Sequence, residues 1–152
     1  MPRIDIGKLT ARTSTAYPDE FKPVVAGRQK TALGNAAGLT QFGVNLTRLK
    51  PGAASALRHW HENEDEFVYV LEGQLVLVED EGETILEAGD CAGFKASVAN
   101  GHHLVNRTSR DALILEVGTR SPRERAHYPD VDLLYEVDGK NIRILHKDGT
   151  PY

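Results

Sequence analysis

Two histidines separated by a single residue, His59 and His61, are followed five positions later by Glu66. On a β-strand, side chains at i and i+2 point to the same face, so the two imidazoles would converge. On a helix they would lie roughly 200° apart and could not share an ion. The pair therefore makes chemical sense only in a sheet. Imidazole nitrogens with one carboxylate oxygen form a donor set for Zn, Fe, Mn, Ni or Cu. Glu66 opens the apolar run Phe67-Val-Tyr-Val-Leu71. If it shares the inward face with Val68 and Val70, its charge is buried, which is costly unless a cation compensates. A second histidine pair, His102 and His103, stands further along the chain, ahead of Asn106.

Short strands must hold these residues. The segment Leu39 to Leu49 alternates apolar and polar residues and ends at Pro51-Gly52, the pattern of a half-buried strand. Residues 67–71, 74–78, 83–87, 103–108 and 112–117 read as further strands, with turn signals between them at Gly73, Gly82, Gly89 and Ser109-Arg110-Asp111. The alanines of 53–56 carry helix propensity, so a helical start there is an alternative. Short strands at near-regular spacing predict an antiparallel sandwich or barrel. Residues 1–38 are expected to form an irregular arm with one or two short strands. In the C-terminal part, 131–137 and 141–146 flank Asp138-Gly139-Lys140 and read as a hairpin. The expected organisation is an arm (1–38), a barrel core (39–118) and an extension (119–152) packed on the same domain.

Composition narrows the function classes. A chain of 152 residues is long enough for one domain with a real core. Net charge is −4 with both signs scattered, so no basic stripe points to nucleic acid and no polybasic cluster to a membrane. No apolar run approaches the length of a membrane-spanning helix, and the first residues lack the layout of a signal peptide. A single cysteine, Cys91, leaves no intramolecular disulfide and no cysteine zinc site. A cytoplasmic setting is expected, with neither nucleic acid nor membrane as partner. Cys91 has no base near it in sequence and is expected to be a small buried filler, not a nucleophile.

The segments Gly52 to Gly73 and Gly89 to Asn106 together resemble the two sequence motifs of the cupin superfamily. The first family motif is a glycine, a His-x-His pair, a glutamate and a further glycine, matched here by Gly52, His59, His61, Glu66 and Gly73. The gaps before His59 and before Glu66 run about one residue long. In the second motif, Lys95 and Ser97 stand where the family has proline and glycine, and the loop after them is longer. The closing His-x-x-x-Asn is present as His102 to Asn106. The resemblance covers roughly residues 39–118. It implies an all-β double-stranded β-helix, or jelly-roll, barrel with the ligand site inside. It also implies one divalent transition metal per chain (Fe, Mn, Zn, Ni or Cu) held by His59, His61, Glu66 and a fourth ligand.

That fourth ligand is His102 or His103, which point to opposite faces. On one register His102, Leu104 and Asn106 share a face, and His103, Val105 and Arg107 share the other. Arg107 suits the solvent side, which favours His102 as the inward residue. Trp60 and Arg58 fall on the outward face, as do Phe67 and Tyr69 on their strand. Asn106 could support a ligand from behind. His127 and His146, in the extension, could reach the site if the extension formed a lid. The resemblance implies a metal-dependent enzyme acting on a small organic molecule, of oxygenase or isomerase/lyase type. The alternative is a non-catalytic cupin that binds or senses a small ligand. A homodimer is expected from the arm and hairpin, which a compact barrel does not need, and from the resemblance.

Overall fold

The computed structural model describes residues 2–152. Two 3-10 helical stretches, Ile6–Lys8 and Asp19–Val25, lead into β1 (Arg28–Ala32) and a single helical turn, Leu33–Ala36. The central segment carries β2 (Phe42–Leu49), β3 (Trp60–His61), β4 (Glu66–Glu72), β5 (Gln74–Glu79), β6 (Gly82–Glu87), β7 (Cys91–Phe94), β8 (His103–Val105) and β9 (Ala112–Thr119). The C-terminal part adds β10 (Arg123–His127), β11 (Leu134–Asp138) and β12 (Asn141–Leu145). Among the described residues, no helix is long and apolar enough to cross a membrane.

The strands form three antiparallel sheets, ordered β1-β2-β9-β4-β7, β12-β11-β10-β3 and β6-β5-β8. This is the all-β jelly-roll that the cupin resemblance implies, and an antiparallel barrel as the strand spacing predicts. Alternation sets the faces. On β4, Val68 and Val70 are buried, while Phe67, Tyr69 and Leu71 are exposed. One core lies inside the barrel around Leu49, Val70, Leu75, Leu104 and Ile114. A second gathers Leu57, Ala126, Tyr128 and Leu133, with Tyr17, Phe21 and Tyr135 packed against it. Burial at this density is the main stabilising term, at roughly 25 cal/mol per Å² of apolar surface.

Gly73 closes β4 onto β5 at a turn where glycine is needed twice over. Its φ is +81°, and a Cβ there would lie 2.9 Å from the Asp111 carbonyl oxygen and 3.0 Å from Ala112 Cα.

Both flanks are built into the barrel. In the arm, β1 pairs along the whole of its length with β2, Arg28 opposite Leu49 and Ala32 opposite Asn45. In the extension, β10 pairs with β3, Ala126 opposite His61 and His127 opposite Trp60. The hairpin β11–β12 then continues that sheet outward. The extension therefore forms a wall, not a lid. Neither flank requires a partner subunit to be packed.

Three local expectations change. Residues 53–56 form no helix; Ala53, Ala54 and Ser55 are buried, and Ala54 bridges to Val105. Tertiary pairing overrides the local propensity. The strand expected over 103–108 stops at Val105 because Asn106 turns the chain. Its Nδ2 donates to the carbonyls of Leu49 (2.8 Å) and Arg110 (2.7 Å), and its Oδ1 accepts from the Thr108 N–H and hydroxyl. Asn106 thus organises a loop and backs no histidine. Finally, β10 is hidden in sequence by its charges. Glu124 occupies an inward position, 4 % exposed, and accepts backbone N–H bonds from Glu62, Asn63 and Arg125. A carboxylate so satisfied can stand where the pattern calls for an apolar residue.

If the second core carries weight of its own, Leu133→Ala (1 % exposed) should cost about 2–5 kcal/mol in urea unfolding. Ile85→Ala, at a site 60 % exposed, should change stability by less than about 0.5 kcal/mol. Equal effects from the two would show that the extension contributes no core.

Candidate metal centre

Backbone pairing brings the ligand candidates together. His59 and His102 are directly opposed: His102 N–H donates to His59 O at 2.9 Å, and His59 N–H returns the bond at 3.2 Å. Opposed residues in an antiparallel pair share a face, so both imidazoles turn the same way. His61 sits two residues beyond His59 on β3, and Glu66 starts β4. At the centre, the Glu66 carboxylate lies 2.8 Å from His102 Nε2, 3.5 Å from His59 Nε2 and 3.5 Å from His61 Nε2. His103 faces the other side of β8, its Nδ1 2.8 Å from the Ala56 carbonyl oxygen.

The tautomers follow from the outer contacts. His59 Nδ1 lies 2.8 Å from Leu57 O and His102 Nδ1 lies 3.1 Å from Asn100 O. A carbonyl only accepts, so each Nδ1 carries the proton and each Nε2 presents a lone pair. His61 Nδ1 is buried without a hydrogen-bond partner, with carboxylate oxygens of Glu124 at 3.8 Å and Glu64 at 3.9 Å. The donor atoms of His59, His61 and Glu66 lie within 4.8 Å of one another, with His102 joined to them through Glu66, and lone pairs this close to a carboxylate repel it unless a cation or protons lie between them. The donor set thus fits a divalent metal, with ring contacts fixing its frame. Phe94 stacks on His102 (centroids 3.6 Å apart, planes at 2°) and Tyr128 on His59 (5.8 Å, 30°).

The ionisation of the cluster reflects the same crowding. Burial would raise the Glu66 carboxyl, but the adjacent imidazoles of His102, His59 and His61, when they carry a proton toward it, outweigh burial and hold the group well below the usual range. Burial would lower His61, but Glu66, Glu124 and Glu64 together raise it. The Glu64 carboxyl is pushed up, mainly by its own burial.

The cluster opens into a cavity of about 430 Å³. It lies between the two cores, with Val68, Phe94 and Leu104 on one side and Ala126, Tyr128 and Leu133 on the other. Glu64, Tyr17, Arg28 and Glu116 add polar groups to its lining. A space of this size accommodates a small organic molecule.

Other residues singled out in the sequence lie elsewhere. Trp60 stacks on His127 (4.2 Å, 12°) on the opposite face of the sheet from His61. His127 also meets Glu62 at 2.7 Å, and His146 meets Asp132 at 2.8 Å. Cys91 is exposed on β7, not buried, because its register opposite Tyr69 places it on the outer face. Arg58 is no free surface residue. It holds Asp130 at 2.7 Å, also pairs with Asp80, and donates to the Gly101 carbonyl, so it clamps the loop that delivers His102. Glu64 reads in sequence as part of an acidic surface loop. Its burial comes from Ser121, whose N–H it accepts at 2.8 Å across a contact between distant segments.

A family model described as a cupin domain matches residues 45–118. A crystal structure from Silicibacter pomeroyi, named as a sugar phosphate isomerase from a cupin superfamily, is 48% identical over 99% of this chain and 96% of its own, with a TM-score of 0.95. The chain belongs to the cupin superfamily. A candidate sugar phosphate isomerase from Acidithiobacillus ferrooxidans is 26% identical over 82% of this cupin and 80% of its own chain, with a TM-score of 0.75. A polyketide cyclase from Streptomyces resistomycificus shares the fold, at 20% identity over 78% and 79% of the two chains and a TM-score of 0.65. None of the curated proteins matches this cupin.

The second motif departs from the family at Ser97, and the structure supplies the reason. Ser97 has φ +66°, the left-handed conformation that the family's glycine adopts freely. For serine this costs about 1–2 kcal/mol. Its hydroxyl donates to Glu62 O at 2.6 Å and its N–H to His61 O at 2.9 Å, which offsets that cost and ties the loop to the ligand strand. Ser97→Ala keeps the strain and loses the hydroxyl bond, so it should lower stability by about 1 kcal/mol. Ser97→Gly loses both and should be close to neutral. Thermal melting in which Ser97→Ala matches the wild type would refute this account.

Proposed function

We propose that this cupin is a metal-dependent isomerase of a phosphorylated sugar, with one divalent transition metal held by His59, His61, Glu66 and His102. The observation that carries the reading is the gathering of the His59, His61 and His102 Nε2 atoms around the Glu66 carboxylate at the wall of a cavity. Support for the substrate class comes from the isomerase name borne by the 48%-identical protein, which is matched along nearly its whole length. A divalent ion in this set would supply Lewis acidity to a substrate carbonyl or hydroxyl oxygen.

The chain's own residues account for the remaining demands of an isomerisation. Proton transfer between neighbouring carbons requires a base within the cavity. Two carboxylates besides Glu66 line it. Glu116 is committed to Thr47 Oγ1 at 2.9 Å and Lys30 Nζ at 3.0 Å. Glu116 is therefore ion-paired, whereas Glu64 forms no ion pair with a lysine or arginine among the described residues and lies 3.9 Å from His61, and it is the carboxylate assigned here to proton transfer. The apolar lining from Val68, Phe94 and Leu133 limits water around the reacting carbons.

Protein reconstituted with Mn, Fe, Zn, Ni or Cu should interconvert members of a panel of aldose and ketose phosphates, followed by NMR. Chelation should abolish the conversion and re-addition of metal restore it. The double variant His59→Ala with His61→Ala should lose bound metal, and His102→Ala should lose more than His103→Ala. Glu64→Gln should keep the metal and lose turnover. Stoichiometric metal in the double variant would sink the ligand assignment. A metal-loaded protein that converts no sugar phosphate would sink the isomerase reading and leave a ligand-binding cupin.

The same reading makes the protein a cytoplasmic homodimer, joined through the outer face of the five-stranded sheet. Phe42, Phe67, Tyr69 and Leu71 are exposed there, and crossing that sheet from one to the next are Val44, Val117 and Leu115. Sedimentation giving the 16.7 kDa mass of a single chain at micromolar concentration would refute it.

A further inference from the structure

The arm carries a cationic feature that the family motifs do not reach. On β1, Arg28 stands opposite Leu49 and Lys30 opposite Thr47, and both of those partners are fully buried. Arg28 and Lys30 therefore point into the barrel. Arg12 is bridged to Lys30 by a reciprocal pair of backbone bonds, 2.8 and 2.9 Å. Directly opposed residues share a face, so the Arg12 side chain lies beside that of Lys30 and diagonal to Arg28. All three line the cavity that holds the His–Glu cluster.

Their charges are unequally compensated. Lys30 pairs with Glu116 at 3.0 Å. Arg28 is 8 % exposed, and its side chain makes one hydrogen bond, from Nη1 to the Ser55 carbonyl at 2.7 Å. Among the described residues, no carboxylate forms an ion pair with Arg28 or with Arg12. A guanidinium buried without an anion is costly, and a second one beside it adds repulsion. Burial is the main cause that lowers the Arg28 pKa, and the charge of Arg12 acts in the same direction. Had Arg28 served only to cap the Ser55 carbonyl, a neutral donor would have sufficed. The remaining guanidinium nitrogens form no hydrogen bond and face a cavity, which is the arrangement that accepts a tetrahedral anion through paired N–H groups.

We propose that Arg12 and Arg28 form a phosphate-binding subsite, which takes the phosphate monoester of the ligand whose other end reaches His59, His61, Glu66 and His102. The subsite rests on the two arginines alone; only the sugar attached to that phosphate rests on the isomerase reading. Arg12 approaches from the exposed arm and Arg28 from the wall. The arm therefore contributes to substrate choice, while the motif segment contributes the metal ligands.

Isothermal titration of the purified protein with inorganic phosphate tests the subsite without any turnover. Phosphate should bind, acetate should bind more weakly, and Arg12→Ala should weaken phosphate by about tenfold or more. Arg28→Lys keeps the charge but loses the planar fork, and it should weaken phosphate as well. Arg12 is exposed, so its variant tests the idea even if the Arg28 change impairs folding. In assays of any sugar phosphate that is converted, Arg12→Ala should raise KM and spare kcat. Phosphate affinity unchanged in Arg12→Ala would overturn the subsite, because the anion would then sit elsewhere, the metal included. Acetate binding as tightly as phosphate would overturn the choice of anion. Phosphate bound through Arg12 in a protein that isomerises nothing would leave the subsite standing and remove the isomerase reading. Isomerisation with an unchanged KM in Arg12→Ala would do the reverse.

Discussion

The structure depends on one electrostatic constraint: three imidazoles crowded around one buried carboxylate, each with its Nε2 turned toward it. Leu57 and Asn100 carbonyls hold the protons of His59 and His102 on Nδ1, so the Nε2 lone pairs cannot turn away. Such a cluster is unfavourable by itself and becomes favourable around a cation. The surrounding architecture keeps it in place. The His59–His102 backbone pair fixes two rings, β3 the third, and the start of β4 the carboxylate. Arg58 and Ser97 restrain the loops on either side.

The flanking segments are as necessary to this arrangement as the motif segment. The two-residue strand β3 is too short to hold register alone, and β10 supplies its partner through Ala126 and His127. The backing of β10 by β11 and of β11 by β12 gives that edge a sheet to belong to. Glu124, buried on β10, in turn caps the backbone of Glu62 and Asn63 just after His61. His61 is thus positioned by a carboxylate more than sixty residues away. Arg28 and Lys30, contributed by the arm, complete the cavity from the other side.

What the sequence revealed and what it concealed divide along the same line. The i, i+2 spacing of His59 and His61, the alternation of β4 and the glycine turns are local signals, and they lead to an antiparallel sandwich or barrel with an inward His–Glu group, which the motif resemblance narrows to a jelly-roll. The face of His102 is set by a non-local pairing with His59, which no window along the chain contains. The strand β10 reads as Arg-Glu-Arg-Ala-His because its inward glutamate is satisfied by backbone N–H groups of a distant loop. Glu64 and Arg28 look like surface charges until the fold half-buries the one and buries the other. Asn106 has the position of a ligand-supporting residue but spends its amide on Leu49 and Arg110, a role visible only when β2 lies alongside.

This division has a consequence for how the site works. The segment that matches the family, residues 45–118, holds every His and Glu of the central cluster. The groups that shape the rest of the cavity, Arg12, Tyr17 and Arg28 before it and Ala126, Tyr128 and Leu133 after it, come from outside. Ligand geometry tolerates little change, since displacing one imidazole leaves a lone pair or a carboxylate uncompensated. The lining is under no such constraint, because an apolar wall or a guanidinium can be exchanged without disturbing the donor set. On the proposed function, chemistry would be concentrated in the motif and selectivity in the flanks. A cupin barrel can then take different substrates through its arm and its extension while the centre stays fixed.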